Sequence, residues 1–209
     1  MFYLFLKYLV FPIIKFIWVG KIKGLENLPK SGGAILVANH ESYFDFITLY
    51  AVSTRRLYFL AAEVFFRKKK WKWLMNLTKQ IEVDRESRDK TSSIIKAQEY
   101  LNKGRVIGIF PEGTRSADGN LQKAFNGAVK MAITSKVPIV PVGVMGTYNI
   151  MSRFDKYPRF NRKCQLNFGH KIEYPLSYID KINDKIFVDQ LTRELMVTIG
   201  NLCNKSYSY

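Results

Sequence analysis

The 209-residue sequence holds only two cysteines, Cys164 and Cys203, and two histidines. Two cysteines cannot build a disulfide framework, which points to a reducing compartment. These four residues lie far apart in the chain and are too few for a structural zinc site; no metal and no resident cofactor are expected. Proline (7) and glycine (13) are sparse and no low-complexity tract occurs, which excludes collagen-like and disordered classes. Acidic residues are short as well: 17 Asp+Glu face 33 Lys+Arg, for a formal charge of +16. Uncharged runs long enough to span a membrane are also missing. In the apolar opening MFYLFLKYLVFPIIKFIWVG, Lys7 and Lys15 interrupt, Pro12 sits in the middle, and the longest uncharged stretch is 8–14.

What remains is a chain of one-domain length, 47% apolar, with a strong attraction for an anion. Nucleic acid, a membrane surface or a phosphorylated substrate would each qualify. Residues 1–80 carry 13 Lys/Arg against 4 Asp/Glu, so +9 of the +16 coincides with the apolar opening, which favours a membrane. The opening lacks the leading charge and small cleavage-site residues of a secretory signal. A spanning helix, a buried core helix and an interfacial helix bent at Pro12 all fit its composition. The interfacial form is the expected one, giving an anchor over 1–20 and a domain over 21–209. The run Arg67-Lys68-Lys69-Lys70-Trp71-Lys72-Trp73 sets five cations beside two tryptophans, either as a second headgroup-seeking segment or as a solvated face with its tryptophans turned inward.

The body alternates strand and helix patterns. GAILVAN (33–39), LYFLAA (57–62), VIGIF (106–110), PIVPVGV (138–144) and CQLNFG (164–169) have strand composition. Helices are predicted over 87–103, 121–136 and 184–201. Their apolar stripes (Ile94, Ala97 and Leu101; Phe125, Ala128 and Val129; Leu191, Leu195 and Ile199) are read as core. The pattern predicts an α/β fold, a mixed and largely buried sheet flanked by helices, with an N-terminal membrane-binding helix or helix pair.

Two stretches follow strands and carry chemistry, where loops at strand ends usually hold it. In Asn39-His40-Glu41-Ser42-Tyr43-Phe44-Asp45, a histidine precedes an aspartate by five residues. Histidine titrates near neutrality and can take a proton from an alcohol, and a carboxylate on its other ring nitrogen fixes the tautomer. If Ser42 or a neighbour starts a helix, Asp45 falls in its first turn and can fold back to His40. In Phe110-Pro111-Glu112-Gly113-Thr114-Arg115-Ser116, Gly113 admits close backbone approach and Thr114, Arg115 and Ser116 offer phosphate donors, with Glu112 able to brace the arginine. Each stretch alone also reads as a packed histidine or as a polar turn.

In this order the two stretches resemble the 1-acyl-sn-glycerol-3-phosphate acyltransferase family of glycerolipid acyltransferases. Gly24-Leu25-Glu26-Asn27-Leu28-Pro29, Ile81-Glu82-Val83-Asp84-Arg85, Val137-Pro138-Ile139-Val140-Pro141-Val142 and Phe168-Gly169 resemble further family motifs, so the likeness covers about residues 20–172. It implies that His40 is the general base and Asp45 its orienting carboxylate. It also implies that Arg115, supported by Glu112 and shaped by Gly113 and Thr114, clamps the acceptor's phosphate, with Arg85 as a second phosphate residue. Substrates would be a lysophospholipid, 1-acylglycerol 3-phosphate or another, and an acyl-CoA or acyl-carrier-protein donor, at an anionic phospholipid surface with the site facing the cytoplasm.

The sequence departs from the family at Ala61-Ala62-Glu63, where many members place a lysine; charge would then come from Arg85 or Lys123, or the headgroup differs. Two other classes are weighed against the enzyme. A membrane-tethered, non-catalytic relative is opposed by the intact His40 and Asp45. A basic nucleic-acid binder with stacking aromatics is opposed by the position of those aromatics, which gather in the opening and in the strands, so no nucleic-acid partner is expected. Oligomeric state is not legible.

Overall fold

The computed structural model describes residues 2–67, 69–84 and 91–209. In chain order, α1 (Phe2–Phe5) and a π-helical turn (Leu6–Val10) lead into α2 (Phe11–Trp18), which runs directly into β1 (Val19–Lys23). Then come a 3-10 turn (Leu25–Asn27), β2 (Ala34–Ala38), α3 (Phe44–Val52), β3 (Leu57–Ala62), α4 (Val64–Arg67), α5 (Lys69–Thr78) and β4 (Ile81–Val83). The rest is α6 (Thr91–Asn102), β5 (Val106–Ile109), α7 (Gly127–Ser135), β6 (Ile139–Met145), α8 (Thr147–Ile150), β7 (Cys164–Phe168), a 3-10 segment (Leu176–Lys181) and α9 (Lys185–Cys203).

Among the described residues, seven strands form one sheet in the order β1-β7-β6-β2-β5-β3-β4. All neighbours are parallel except β6 and β7, so the sheet is mixed, as expected. β2 lies at its centre, all five of its residues buried, with β5 on one side and β6 on the other. Alternation then assigns the faces. Ile35 and Val37 pack with α6, α7 and α9 through Leu101, Val129 and Leu195. Ala34, Leu36 and Ala38 pack with α2 and α3 through Phe11, Phe44 and Leu49. Both faces are covered, which is why these strands read as unbroken apolar runs.

The five expected strands stand within one residue of the sequence reading. Two were missed. β4 is three residues long, and β1 is an edge strand whose lysines alternate outward. Helix α7 begins at Gly127 rather than at 121, because 121–126 uses its amides elsewhere: Phe125 N–H donates to Pro111 O at 2.8 Å and Gln122 N–H to Glu112 Oε2 at 2.9 Å. Phe125 is therefore exposed instead of lying in the core, and Ile94 on α6 is exposed too. Of the span predicted over 87–103, residues 87–90 fall outside the described residues.

The N-terminal segment is split lengthwise. Phe11 is buried and its ring meets Tyr50 of α3 at 5.7 Å, with Tyr3, Leu6, Ile14 and Trp18 packed along the same side. Leu4, Phe5, Leu9, Ile13 and Phe16 face outward on the other. The π turn precedes Pro12, whose missing N–H would break a regular helical ladder at this point. Among the described residues, no helix is long and apolar enough to cross a membrane.

Candidate active site

The sheet positions the site through Asn39, the residue after β2. Its side chain pairs with the backbone of Val144 as another strand residue would: Nδ2 donates to Val144 O at 2.9 Å and Oδ1 accepts from Val144 N at 2.8 Å. That clasp to β6 fixes where the chain leaves the sheet and therefore where His40 stands.

His40 is then held on three sides. Its backbone N–H donates to Glu112 Oε1 and its carbonyl accepts from Ser116 N–H, both at 2.8 Å. Its ring stacks on Phe110 with centroids 4.1 Å apart and an interplanar angle of 13°. Phe110 in turn stacks on Phe59 at 5.4 Å. Phe59 can lie against β5 only because residue 108 is glycine: a Cβ there would stand 2.3 Å from the Phe59 ring.

Asp45 sits in the first turn of α3, fully buried, 2.7 Å from His40 Nδ1. Its Oδ2 also accepts from the backbone N–H groups of Glu41 at 2.7 Å and Ser42 at 2.8 Å, and its Oδ1 accepts from the Thr147 hydroxyl. An acceptor-only carboxylate on Nδ1 places the ring proton there and leaves the Nε2 lone pair for a substrate proton. His40 is 12% exposed at the side chain, enough for a substrate hydroxyl to reach it.

The second stretch lies against the first. Gly113 adopts φ +70, a left-handed conformation that suits glycine, and turns the chain so that Gly113 N–H donates to Phe110 O at 3.1 Å. Thr114 is exposed beside it. The Arg115 guanidinium lies over the Tyr43 ring at 3.6 Å, inside the stretch that carries His40 and Asp45. Glu112 does not fork with Arg115 as its sequence position suggested. Buried, it directs one oxygen to His40 N–H and the other to Gln122 N–H, tying the two loops together. Burial pushes its carboxyl up to about 8 against the pull of those two amides. Arg85 lies outside the described residues.

Three contributors were not foreseen. Thr147 opens α8, after the turn that follows β6. Glu41 is buried beside Asp45, accepting from Asn39 Nδ2 at 3.1 Å and Tyr148 N–H at 3.3 Å. Lys205, from the tail beyond α9, places its ammonium on Glu41 Oε1 and on Gly119 O. Local sequence carries no signal for these pairings. Both cysteines are buried free thiols, pushed up by burial to about 12 (Cys164) and about 11 (Cys203). Among the described residues, no three His, Cys, Asp or Glu side chains gather to hold a metal ion.

A histidine whose Nδ1 meets a buried carboxylate, beside a loop that carries Arg115, can support transfer onto a hydroxyl of an anionic acceptor. Residues 20–145 match the family profile described as Acyltransferase. The chain belongs to that family. It is 34% identical over 144 residues to a chloroplastic 1-acyl-sn-glycerol-3-phosphate acyltransferase of Arabidopsis thaliana, covering 68% of this chain and 39% of that protein. It is 32% identical over 140 residues to the 1-acyl-sn-glycerol-3-phosphate acyltransferase of Bacillus subtilis, covering 65% of this chain and 67% of that one. The chain thus spans well under half of the plant relative. In architecture this acyltransferase-family chain is similar to the crystal structure of the 1-acyl-sn-glycerophosphate acyltransferase PlsC from Thermotoga maritima. The TM-score is 0.71 over 100% of this chain and 89% of that one, at 22% identity, a likeness of fold.

Proposed function

We propose that the protein transfers a fatty acyl group from a thioester donor, acyl-CoA or acyl-carrier protein, to the sn-2 hydroxyl of 1-acylglycerol 3-phosphate, giving phosphatidic acid. The observation that carries this reading is the 2.7 Å contact between His40 Nδ1 and an Asp45 carboxylate whose other contacts are all donors. His40 Nε2 takes the proton of the acceptor hydroxyl as its oxygen attacks the thioester carbonyl. Collapse of the tetrahedral adduct re-forms the carbonyl and breaks the C–S bond. The departing thiolate takes the proton back from the imidazolium, so ester and free thiol leave without an acyl-enzyme. Asp45 stabilises the imidazolium while it exists. Arg115, on a loop shaped by Gly113 and Thr114, clamps the acceptor phosphate, and Glu112 holds that loop to His40.

Another lysophospholipid is the second reading. It is favoured by Glu63, which stands immediately after β3 where a cation would better serve a phosphate monoester.

Membrane association is supported by the split N-terminal segment, whose outward face carries Phe5, Leu9 and Phe16, and by α5, where Trp73 is exposed and its ring meets Phe2 at 5.4 Å. The site would face the cytoplasm, in keeping with two thiols that stay free. The test is acyl transfer from labelled acyl-CoA to 1-acylglycerol 3-phosphate in lipid or detergent, with His40→Ala as control. Product from the wild type alone supports base and acceptor together. No product with this acceptor, but turnover with another lysophospholipid or an acyl-carrier-protein donor, would move the assignment to that substrate. A blank panel would leave a non-catalytic membrane binder.

A further inference from the structure

We propose that the segment between α8 and β7, residues 152–163, is a second membrane-seating element that lies on an anionic headgroup layer and joins the active-site mouth to the N-terminal helices. The proposal rests on the membrane reading above. Its sequence, SRFDKYPRFNRK, holds five cations and one acid. Three aromatic rings stand in solvent, with Phe154 75%, Tyr157 71% and Phe160 66% exposed. Rings of this size are rarely left in water together unless something covers them.

The segment is anchored at both ends. At its start, Ser42 Oγ donates to Met151 O at 2.5 Å and Arg153 Nη1 donates to Arg115 O at 3.2 Å, so it leaves from the site itself. At its far end, Trp18 Nε1 donates to Arg159 O at 3.2 Å, Lys163 Nζ donates to Phe16 O at 3.3 Å, and the Phe160 and Trp18 rings lie 5.2 Å apart. The segment therefore reaches the C-terminal end of α2, where Lys163 lies against Phe16, which is 81% exposed.

Between the anchors the backbone is held in shape. Arg159 N–H donates to Ile150 O and Ser152 N–H to Asp155 Oδ2, and Asp155 pairs with Arg159 at 2.9 Å. The lone acid is thus engaged within the segment, and the charge presented outward is cationic. Exposed rings among cations match the chemistry of an anionic lipid surface, with rings at the acyl boundary and cations at the phosphates. A lipid acceptor entering along this strip would arrive beside Arg115.

The test uses the full chain and vesicles of phosphatidylcholine with and without phosphatidic acid. One variant combines Phe154→Ser, Tyr157→Ser and Phe160→Ser; a second combines Phe5→Ser, Leu9→Ser and Phe16→Ser. Substitution is preferred to deletion of the N-terminus, because Phe11 and Trp18 pack on the core. A third protein, Tyr157→Cys, carries an environment-sensitive nitrobenzoxadiazole label, both native thiols being buried.

The loop variant should keep the wild-type thermal midpoint yet bind phosphatidic acid vesicles about 10-fold or more weakly. The label should shift to the blue, further with phosphatidic acid than without. Loss of binding in the N-terminal variant alone, with the loop variant unchanged and the label still in water, would overturn this proposal while leaving membrane association standing. Failure of the wild type to bind any vesicle would remove both. A label shift that follows protein concentration without vesicles would overturn it in favour of a second copy covering the face.

Discussion

The ammonium of Lys205 rests on the carboxylate of Glu41, 164 residues earlier in the chain, and so closes the buried side of the site with a residue from the tail. Glu41 and Asp45 are two carboxylates in one buried pocket, bridged by the Thr147 hydroxyl, which approaches Glu41 Oε2 at 3.5 Å. Burial, and then the charge of Asp45, raise the Glu41 carboxyl, whereas Lys205 pulls it down. Lys205→Met should therefore strand a buried acid. The loss should be about 2 kcal/mol, below the usual figure for breaking a buried pair because Lys205 keeps some contact with solvent. Adding Glu41→Gln should recover most of that loss. Denaturant melts of the four proteins of this cycle measure the coupling, and strictly additive effects would show that the pair contributes nothing.

In the proposed reaction Asp45 acts through His40. Asp45→Asn keeps the volume but replaces an acceptor-only carboxylate with an amide that can donate, so the imidazole loses the tautomer that frees Nε2. kcat should fall by about 10³- to 10⁴-fold with the acceptor KM little changed. Thr147→Val removes one of the donors to Asp45 and should lower kcat more mildly, on the order of 10-fold, the scale of one lost hydrogen bond to a charged group. Steady-state kinetics on both variants decide this, and a large rise in KM with kcat intact would assign Asp45 to binding instead.

The stack of Phe59, Phe110 and His40 predicts an effect from a position that touches no substrate. Gly108→Ala puts a methyl group 2.3 Å from the Phe59 ring, inside contact distance, so that ring must move. Overpacking of this kind costs about 1–3 kcal/mol. The displacement should pass through Phe110 to the imidazole and lower kcat as well. Pairing Gly108→Ala with Phe59→Leu should restore both the melting temperature and part of the rate. A variant that loses stability but keeps its full rate would show that the stack does not position His40.

How much of this was legible follows from sequence separation. His40 and Asp45 are five residues apart at the start of a helix, so their contact is a local matter and one short stretch reveals it. The strands GAILVAN and PIVPVGV were legible because both faces of a central strand are buried and no polar alternation interrupts them. β1 was not legible, because an edge strand with Lys21 and Lys23 outward, directly following a helix, lacks that run. The role of Glu112 was misjudged for a related reason: its neighbour Arg115 suggested a local ion pair, whereas the amides that use the carboxylate come from His40, 72 residues away, and from Gln122. Glu41–Lys205 and Asp45–Thr147 depend wholly on the tertiary fold, and their residue types are ordinary in isolation.

The buried carboxyl of Glu112 gives a pH test of the clasp between the two loops. Burial, reinforced by the charges of Asp45 and Glu41, raises it to about 8, although the amides of His40 and Gln122 favour the ionised form. The unfolded chain would release this proton near 4.5. The folded state therefore binds it more tightly, and the stability so gained is full below about pH 4.5 and is lost as pH rises through about 8. Glu112→Gln cannot titrate. The difference in thermal midpoint, wild type minus variant, should fall between about pH 5 and pH 8 and level off above that range. Glu41, also raised, is present in both proteins and largely cancels. The variant offers a single acceptor oxygen to the two amides, as the protonated acid does, so the substitution itself adds no pH-dependent contribution. A difference that stays flat across the range would mean that the two amides outweigh burial and that Glu112 is already ionised at about pH 5, with the clasp then a pair of charge-assisted bonds.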